Sequence, residues 1–316
     1  MNAFRVELPG LFTTIQDRGR TGHYASGVPS GGAMDRFALA AANMLVGNPA
    51  GAPGLECTLA GPTLVALRSG LISVTGADLG PRLNDRPLEL WRGVFVAEGD
   101  RLSFAGRRWG ARCYVAAAGG IAGDRWLGSA STYVLVERGG IHGRPIKAGD
   151  ELALDAEPPH PAVSGRSMPP ADRPGYAAEP VIDVVLGPHV RKLKGRSRRM
   201  LFDARWQVSR DADRMGYRLE GPELAISVPE LISFGLAQGC IQVPPSGQPI
   251  VLLADHQTAG GYPVVGAVTR ACLPLMAQLL PGDHVRFREV GLEDAHRRWA
   301  VQQAALARLD GGRVDA

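Results

Sequence analysis

The chain has 316 residues, of which 45% are apolar and only 6% aromatic, with 41 glycines and 24 prolines. That length suggests two domains with sizeable cores, and so many glycines and prolines mark frequent turns, as in an all-β chain. The net charge of +4 rests on arginine, since lysine occurs only at Lys147, Lys192 and Lys194, and so small an excess gives no ground for a nucleic-acid partner.

The start, Met1 to Glu7, enters strand-like sequence without a basic and then apolar leader. No apolar run reaches the roughly 18 residues of a membrane span. The expectation is a cytoplasmic protein with no membrane segment. Cys57, Cys113, Cys240 and Cys272 form no C-x-x-C pair and read as reduced core residues.

In chain order, the first departure from a β pattern is 36–46, where Phe37, Ala41, Met44 and Leu45 share a helical face. Asp35 suits its N-cap and Gly47 its stop. Short apolar or alternating runs follow at 71–75, 93–96, 101–104 and 112–116. Their spacing, near ten residues, predicts sandwich or barrel architecture. A Gly-Asp pair precedes an alternating run three times, at Gly99-Asp100, Gly149-Asp150 and Gly282-Asp283. Gly61-Pro62 and Gly221-Pro222 also echo one another. These echoes suggest two related β domains, at 1–155 and 181–290. The proline-dense stretch 156–180 between them reads as a linker. From 291 to 316 a C-terminal helix and tail are expected, with Leu292, Ala295, Trp299, Leu306 and Leu309 as the apolar stripe.

Several chemistries are missing. There is no phosphate-binding Gly-x-x-x-x-Gly-Lys-Ser/Thr loop, no lysine in a Met-Lys-Met context to carry biotin covalently, no His-Glu-x-x-His and no Gly-x-Ser-x-Gly elbow. No metal set is expected. The densest chemistry is Asp255-His256-Gln257-Thr258-Ala259-Gly260-Gly261-Tyr262, directly after the apolar run 249–254. An acid, an imidazole, an amide and a hydroxyl at a strand end, with two glycines that let a ligand approach backbone, make a plausible site. A Gly-rich turn with a satisfied histidine is the plainer reading.

Longer blocks carry a resemblance. Leu8-Pro9-Gly10-Leu11-Phe12-Thr13-Thr14-Ile15-Gln16-Asp17-Arg18-Gly19-Arg20 is one, and Gly27-Val28-Pro29-Ser30-Gly31-Gly32-Ala33-Met34-Asp35 is another. Asn43 to Asn48, Leu55-Glu56-Cys57-Thr58, Asp213-Arg214-Met215-Gly216 to Pro222, the 255–263 segment and Leu279 to Asp283 continue in order. Together they resemble the allophanate hydrolase subunit 2 family, also called the biotin-dependent carboxyltransferase or KipI-antagonist family, from about residue 4 to 288.

The resemblance implies a mainly β fold of two cyclophilin-like β-barrel domains in tandem. It implies the role of the C component in an ATP-dependent 5-oxoprolinase-type complex that opens 5-oxoproline to glutamate, an amide or lactam hydrolase component inactive alone. Its partners would be a subunit 1/KipI-like protein (the B component of 5-oxoprolinase) and a LamB/YcsF-type protein (the A component). ATP would be used by the complex through a partner. The alternatives are a biotin-dependent carboxyltransferase acting on urea or a related amide, with biotin on a carrier, and a non-catalytic regulator that binds a KipI-like kinase inhibitor.

Within that frame His256 is the proton shuttle and Gln257 the amide that complements a substrate amide. Asp255 sets the imidazole or caps the turn, and Tyr262 donates or stacks. Thr258 with the Gly260 and Gly261 amides can hold an oxyanion. Arg18 with Gln16 can clamp a carboxylate, or belong to a structural network with Asp17. Ser30 and Asp35 face an anion or cap the helix, Glu56 is a buried paired carboxylate, and Arg214 is structural or ligand-binding. One departure stands out: relatives usually carry a longer, less basic segment where this chain has six basic residues among the nine at 191–199. They form a solvated loop, or a patch for an acidic surface or a phosphate group.

Overall fold

A computed structural model describes residues 2–158, 165–227 and 231–309. It divides into two compact units, one of 1–20, 31–174 and 302–316 and one of 21–30 and 175–301. The division therefore does not fall at a single linker: a ten-residue piece of the N-terminal sequence belongs with the C-terminal unit. Residues 159–164 of the proline-dense stretch and the tail 310–316 lie outside the described residues.

The first unit is built on two sheets of antiparallel neighbours. One has the order 151–153, 2–8, 63–66, 101–104, 81–83, 86–87, and the other 12–16, 54–58, 109–117, 70–78, 93–96. Their inner faces bury Phe4, Val6, Ile15, Leu55, Leu64, Ile72, Val74, Leu102 and Val115. Alternation along short strands produces this, since successive side chains point to opposite faces. Helix α1 (Arg36–Leu45) packs against the second sheet. Asp35 caps it through a 2.8 Å bond from the Ala38 amide, and Gly47, at φ 81°, ends it in the left-handed region.

The second unit is a closed barrel of seven strands in the order 181–186, 264–268, 240–242, 250–252, 216–220, 206–208, 284–289. Closure removes the edges that would otherwise leave backbone groups unpaired. Trp206, Ile182, Val184, Tyr217, Leu219, Ile241, Val251 and Val285 are buried in it. Two short helices, α2 (Ser197–Asp203) and α3 (Leu273–Met276), fill its connections. The mainly β fold expected from the sequence is the fold observed.

The Gly-Asp pairs are one device used three times. In each, the aspartate carboxylate accepts the amide three residues back: Ala97, Lys147 and Leu280, at 2.8, 2.7 and 2.8 Å. The aspartate's own amide returns to the carbonyl of that same residue at 3.0–3.1 Å. The glycine before it takes φ of 88–92°, which closes a tight turn without Cβ strain.

Three expectations need amending. The proline-dense stretch is not wholly free: the Met168 amide bonds to the Trp91 carbonyl at 2.9 Å, Met168 is buried, and Arg173 lies 5.5 Å over the Trp91 ring. Helix α4 (Leu292–Leu309) buries Ala295, Leu306 and Leu309. Leu292 and Trp299 are exposed instead, because Leu292 opens the helix and Trp299 serves as a platform for Arg270. Cys57, Cys113 and Cys272 are buried free thiols, but Cys240 is only half-buried. Among the described residues, no helix is long and apolar enough to cross a membrane.

Candidate active site

Strand Ile250–Leu252 runs out through the buried Leu253 and Ala254 into Asp255 and His256, both still buried, before Gln257 emerges exposed. Apolar strand residues thus carry a buried imidazole to the end of a strand in the second unit. Its Nδ1 lies 2.6 Å from the Gln257 carbonyl oxygen. A carbonyl only accepts, so Nδ1 donates, and the neutral ring then presents a lone pair at Nε2. That atom is 3.3 Å from the hydroxyl of Tyr24, whose ring stacks on the imidazole at a 5.8 Å centroid distance. The Tyr24 hydroxyl is also 3.4 Å from Ser30 Oγ. Burial pushes the His256 pKa below the ordinary 6.5, against the opposing pull of the Gln257 carbonyl and the Asp255 charge. The histidine is therefore a neutral base near pH 7, with a phenol as its neighbour.

Asp255 does not orient that ring. Its carboxylate is forked by Arg214, with Nε at 2.7 Å and Nη2 at 3.2 Å, and its amide bonds to the Arg214 carbonyl at 2.9 Å. Arg214 is presented by a turn in which Asp213 Oδ1 accepts the Met215 and Gly216 amides. The pair braces the strand end from which His256 projects, and a bidentate fork suits that purpose.

Beside the imidazole are two carboxamides. Gln257 Nε2 reaches Gln242 Oε1 at 3.4 Å, and Gln242 Nε2 reaches the Tyr262 carbonyl at 3.4 Å. Both bonds are at the long limit of hydrogen bonding, so a ligand amide can replace them at small cost. Gly260 faces this pair: a Cβ there would lie 3.0 Å from Leu236 Cδ1 and 3.4 Å from Gln242 Nε2. Ala259–Gly260 pairs with Phe234–Gly235, and the Thr258 carbonyl accepts the Leu236 amide at 2.8 Å. Gly261 runs close to the Leu231 carbonyl, and the Tyr262 side chain is exposed.

The remaining expected residues lie in the first unit. Glu56 is buried and its Oε2 accepts the Met34 amide and the Tyr114 hydroxyl, each at 2.8 Å, while Arg112 stands 3.9 Å from Oε1. The Asp35 amide donates to the same Tyr114 oxygen at 2.8 Å. Asp35 and Glu56 are thus occupied in holding the start of α1. Gln16 is buried and donates to Thr14 Oγ1 and the Thr132 carbonyl, leaving its Oε1 without a partner among the described residues. Arg18 is exposed, with its stem crossing Gly51 where a Cβ would come within 2.8 Å of its Cδ. The neighbouring Asp17 carboxylate accepts the Ser129 hydroxyl and the Gly19 and Ala130 amides at 2.6–2.7 Å, so it pairs with these groups and not with Arg18.

The structure therefore brings His256, Gln257, Ser30, Gly260 and the Tyr262 backbone together, with the Asp255–Arg214 pair behind them. Tyr24 and Gln242 were not anticipated. Tyr24 falls between two recognisable blocks, in the short 3-10 turn Tyr24–Ser26. The available signal for Gln242 was a lone amide in the apolar run Cys240–Gln242.

Residues 26–289 match the family model described as carboxyltransferase domain, subdomain A and B. The chain is 37% identical over 95% of its length to the C component of 5-oxoprolinase from Escherichia coli K12, covering 95% of that protein. It is 32% identical over 99% of its length to urea amidolyase of Lachancea kluyveri, of which it spans only 18%. The crystal structure of the Kluyveromyces lactis urea amidolyase superposes with a TM-score of 0.92 at 30% identity, over 97% of this chain and 20% of that one. On these grounds the chain belongs to the carboxyltransferase domain (subdomain A and B) family.

Proposed function

We propose that this chain is the C component of an ATP-dependent 5-oxoprolinase-type complex and contributes the carbonyl-binding and proton-transfer half of an amide site. The observation that carries this reading is sequence likeness: the chain is 37% and 36% identical to the 5-oxoprolinase C components of two bacteria, against 32% and 30% for the urea amidolyases of two yeasts.

The site chemistry agrees with that reading. A small planar amide can exchange hydrogen bonds with Gln257 and Gln242, each of which offers both a donor and an acceptor. His256 Nε2 takes up a proton, and the Tyr24 hydroxyl can donate to it or to a developing oxyanion. The chemistry of phosphate activation belongs to a partner, in keeping with the absence of a P-loop sequence. The partners proposed are a subunit 1/KipI-like protein as the B component and a LamB/YcsF-type protein as the A component. The test is reconstitution: glutamate should be released from 5-oxoproline with ATP only when all three chains are present. A mixture that turns over equally well without this chain, or not at all with it, sinks the proposal.

A second reading, carboxyl transfer from biotin on a separate carrier to urea or a related amide, draws on the near-complete match of this chain to urea amidolyases. A carboxybiotinylated carrier and labelled urea distinguish it from the first.

A further inference from the structure

The segment 191–199 holds more positive charge than the whole chain has in excess, so the rest of the protein is net acidic. It is also not a loose loop. Leu193 is buried and bridges to Ile226, the Lys194 amide bonds to the Ala225 carbonyl at 2.8 Å, and Ser197 Oγ accepts the Ala225 amide at 2.9 Å. Trp206 Nε1 holds the Leu201 carbonyl at 3.0 Å, which fixes the end of α2. These bonds tie down the backbone that carries Arg191, Lys194, Arg196, Arg198 and Arg199, whose side chains are exposed. A cavity of about 570 Å³ opens there, lined by Gly195, Arg196, Arg198, Arg199, Phe202, Asp203 and Glu289. Arg198 is paired with Glu289 at 3.1 Å, while neither Arg196 nor Arg199 has an ion-pair partner among the described residues.

We propose that this cavity binds the phosphate groups of a small ligand. Guanidinium forks match phosphate oxygens two at a time, and the hydrogen-bonded backbone keeps their points of attachment together. The volume lies within the roughly 300–1,000 Å³ typical of small-molecule sites, which favours a compact ligand over an extended partner surface. Two carboxylates limit the site: Glu289 occupies Arg198 in an ion pair, and Asp203 adds a second negative charge to the lining. The inference is independent of the His256 chemistry.

Titration calorimetry of the full chain with inorganic tripolyphosphate tests it, with hexaglutamate as the competing anion. Saturable tripolyphosphate binding is expected, weakened about tenfold or more in an Arg196→Ala/Arg199→Ala double variant and unchanged in Arg210→Glu, a charge loss outside the cavity. Glu289→Gln should tighten binding, a gain that misfolding cannot mimic. Three results overturn the proposal: no saturable binding, equal weakening by Arg210→Glu, or hexaglutamate binding as tightly as tripolyphosphate. The last would assign the patch to an acidic protein segment.

Discussion

The two units each contain a cluster of a carboxylate, a tyrosine and an arginine, and the two clusters behave in opposite ways. In the first unit Glu56, Tyr114, Arg112 and Asp35 are all buried and bonded to one another or to the backbone of α1. Burial drives the Tyr114 pKa well above that of a free phenol, with the Glu56 charge adding to it. In the second unit Asp255 and Arg214 saturate each other, but His256 faces a partly exposed Tyr24, and the amides beside it are held only by long bonds. The same side-chain types build a structural clasp where hydrogen-bonding capacity is used up, and a candidate site where some of it is left over.

The strongest way to break this contrast is Glu56→Ala. It would leave the Tyr114 hydroxyl and Arg112 without their buried partner, and a loss of about 3–5 kcal/mol is expected, read as a lowered denaturant midpoint. An unchanged midpoint would show that the clasp is not structural. His256→Asn should instead fold normally and lower turnover of the reconstituted complex by about 10²–10⁴-fold. If it unfolds the protein while activity per folded molecule survives, the roles of the two clusters are reversed. Tyr24→Phe keeps the stacked ring and removes only the hydroxyl on Nε2; a roughly tenfold fall in kcat with little change in melting temperature would sharpen the assignment.

The acid side of the pH profile offers a subtler test. His256 is held below its ordinary pKa, so the unfolded chain binds the extra proton more readily than the folded one. Its contribution to stability is complete above about pH 6.5 and declines as pH falls from there through the lower folded value. Loss of activity should begin below pH 6.5, as His256 takes up its proton. Smallest of all, Arg214→Lys trades a fork for a point contact and should cost about 1 kcal/mol, a few degrees of melting temperature.

Much of the fold was legible along the chain. Asp35 and Gly47 bounded α1, and the Gly-Asp pairs announced three of the strand entries, because capping and tight turns depend on residues within a few positions of one another. The chemical content of 255–262 was legible for the same reason, as a strand that ends in polar groups. What sequence order could not supply was pairing at a distance. Tyr24 reaches an imidazole 232 positions away, and the proton-bearing nitrogen of His256 is set by a neighbouring carbonyl instead of the adjacent carboxylate. Asp35 and Arg214 were open to a ligand-binding or a structural role, and the folded chain engages both, like the paired carboxylate of Glu56, with other protein groups. Local pattern decides backbone conformation, but which polar group retains an unused hydrogen-bonding valence is decided only when remote segments close around it.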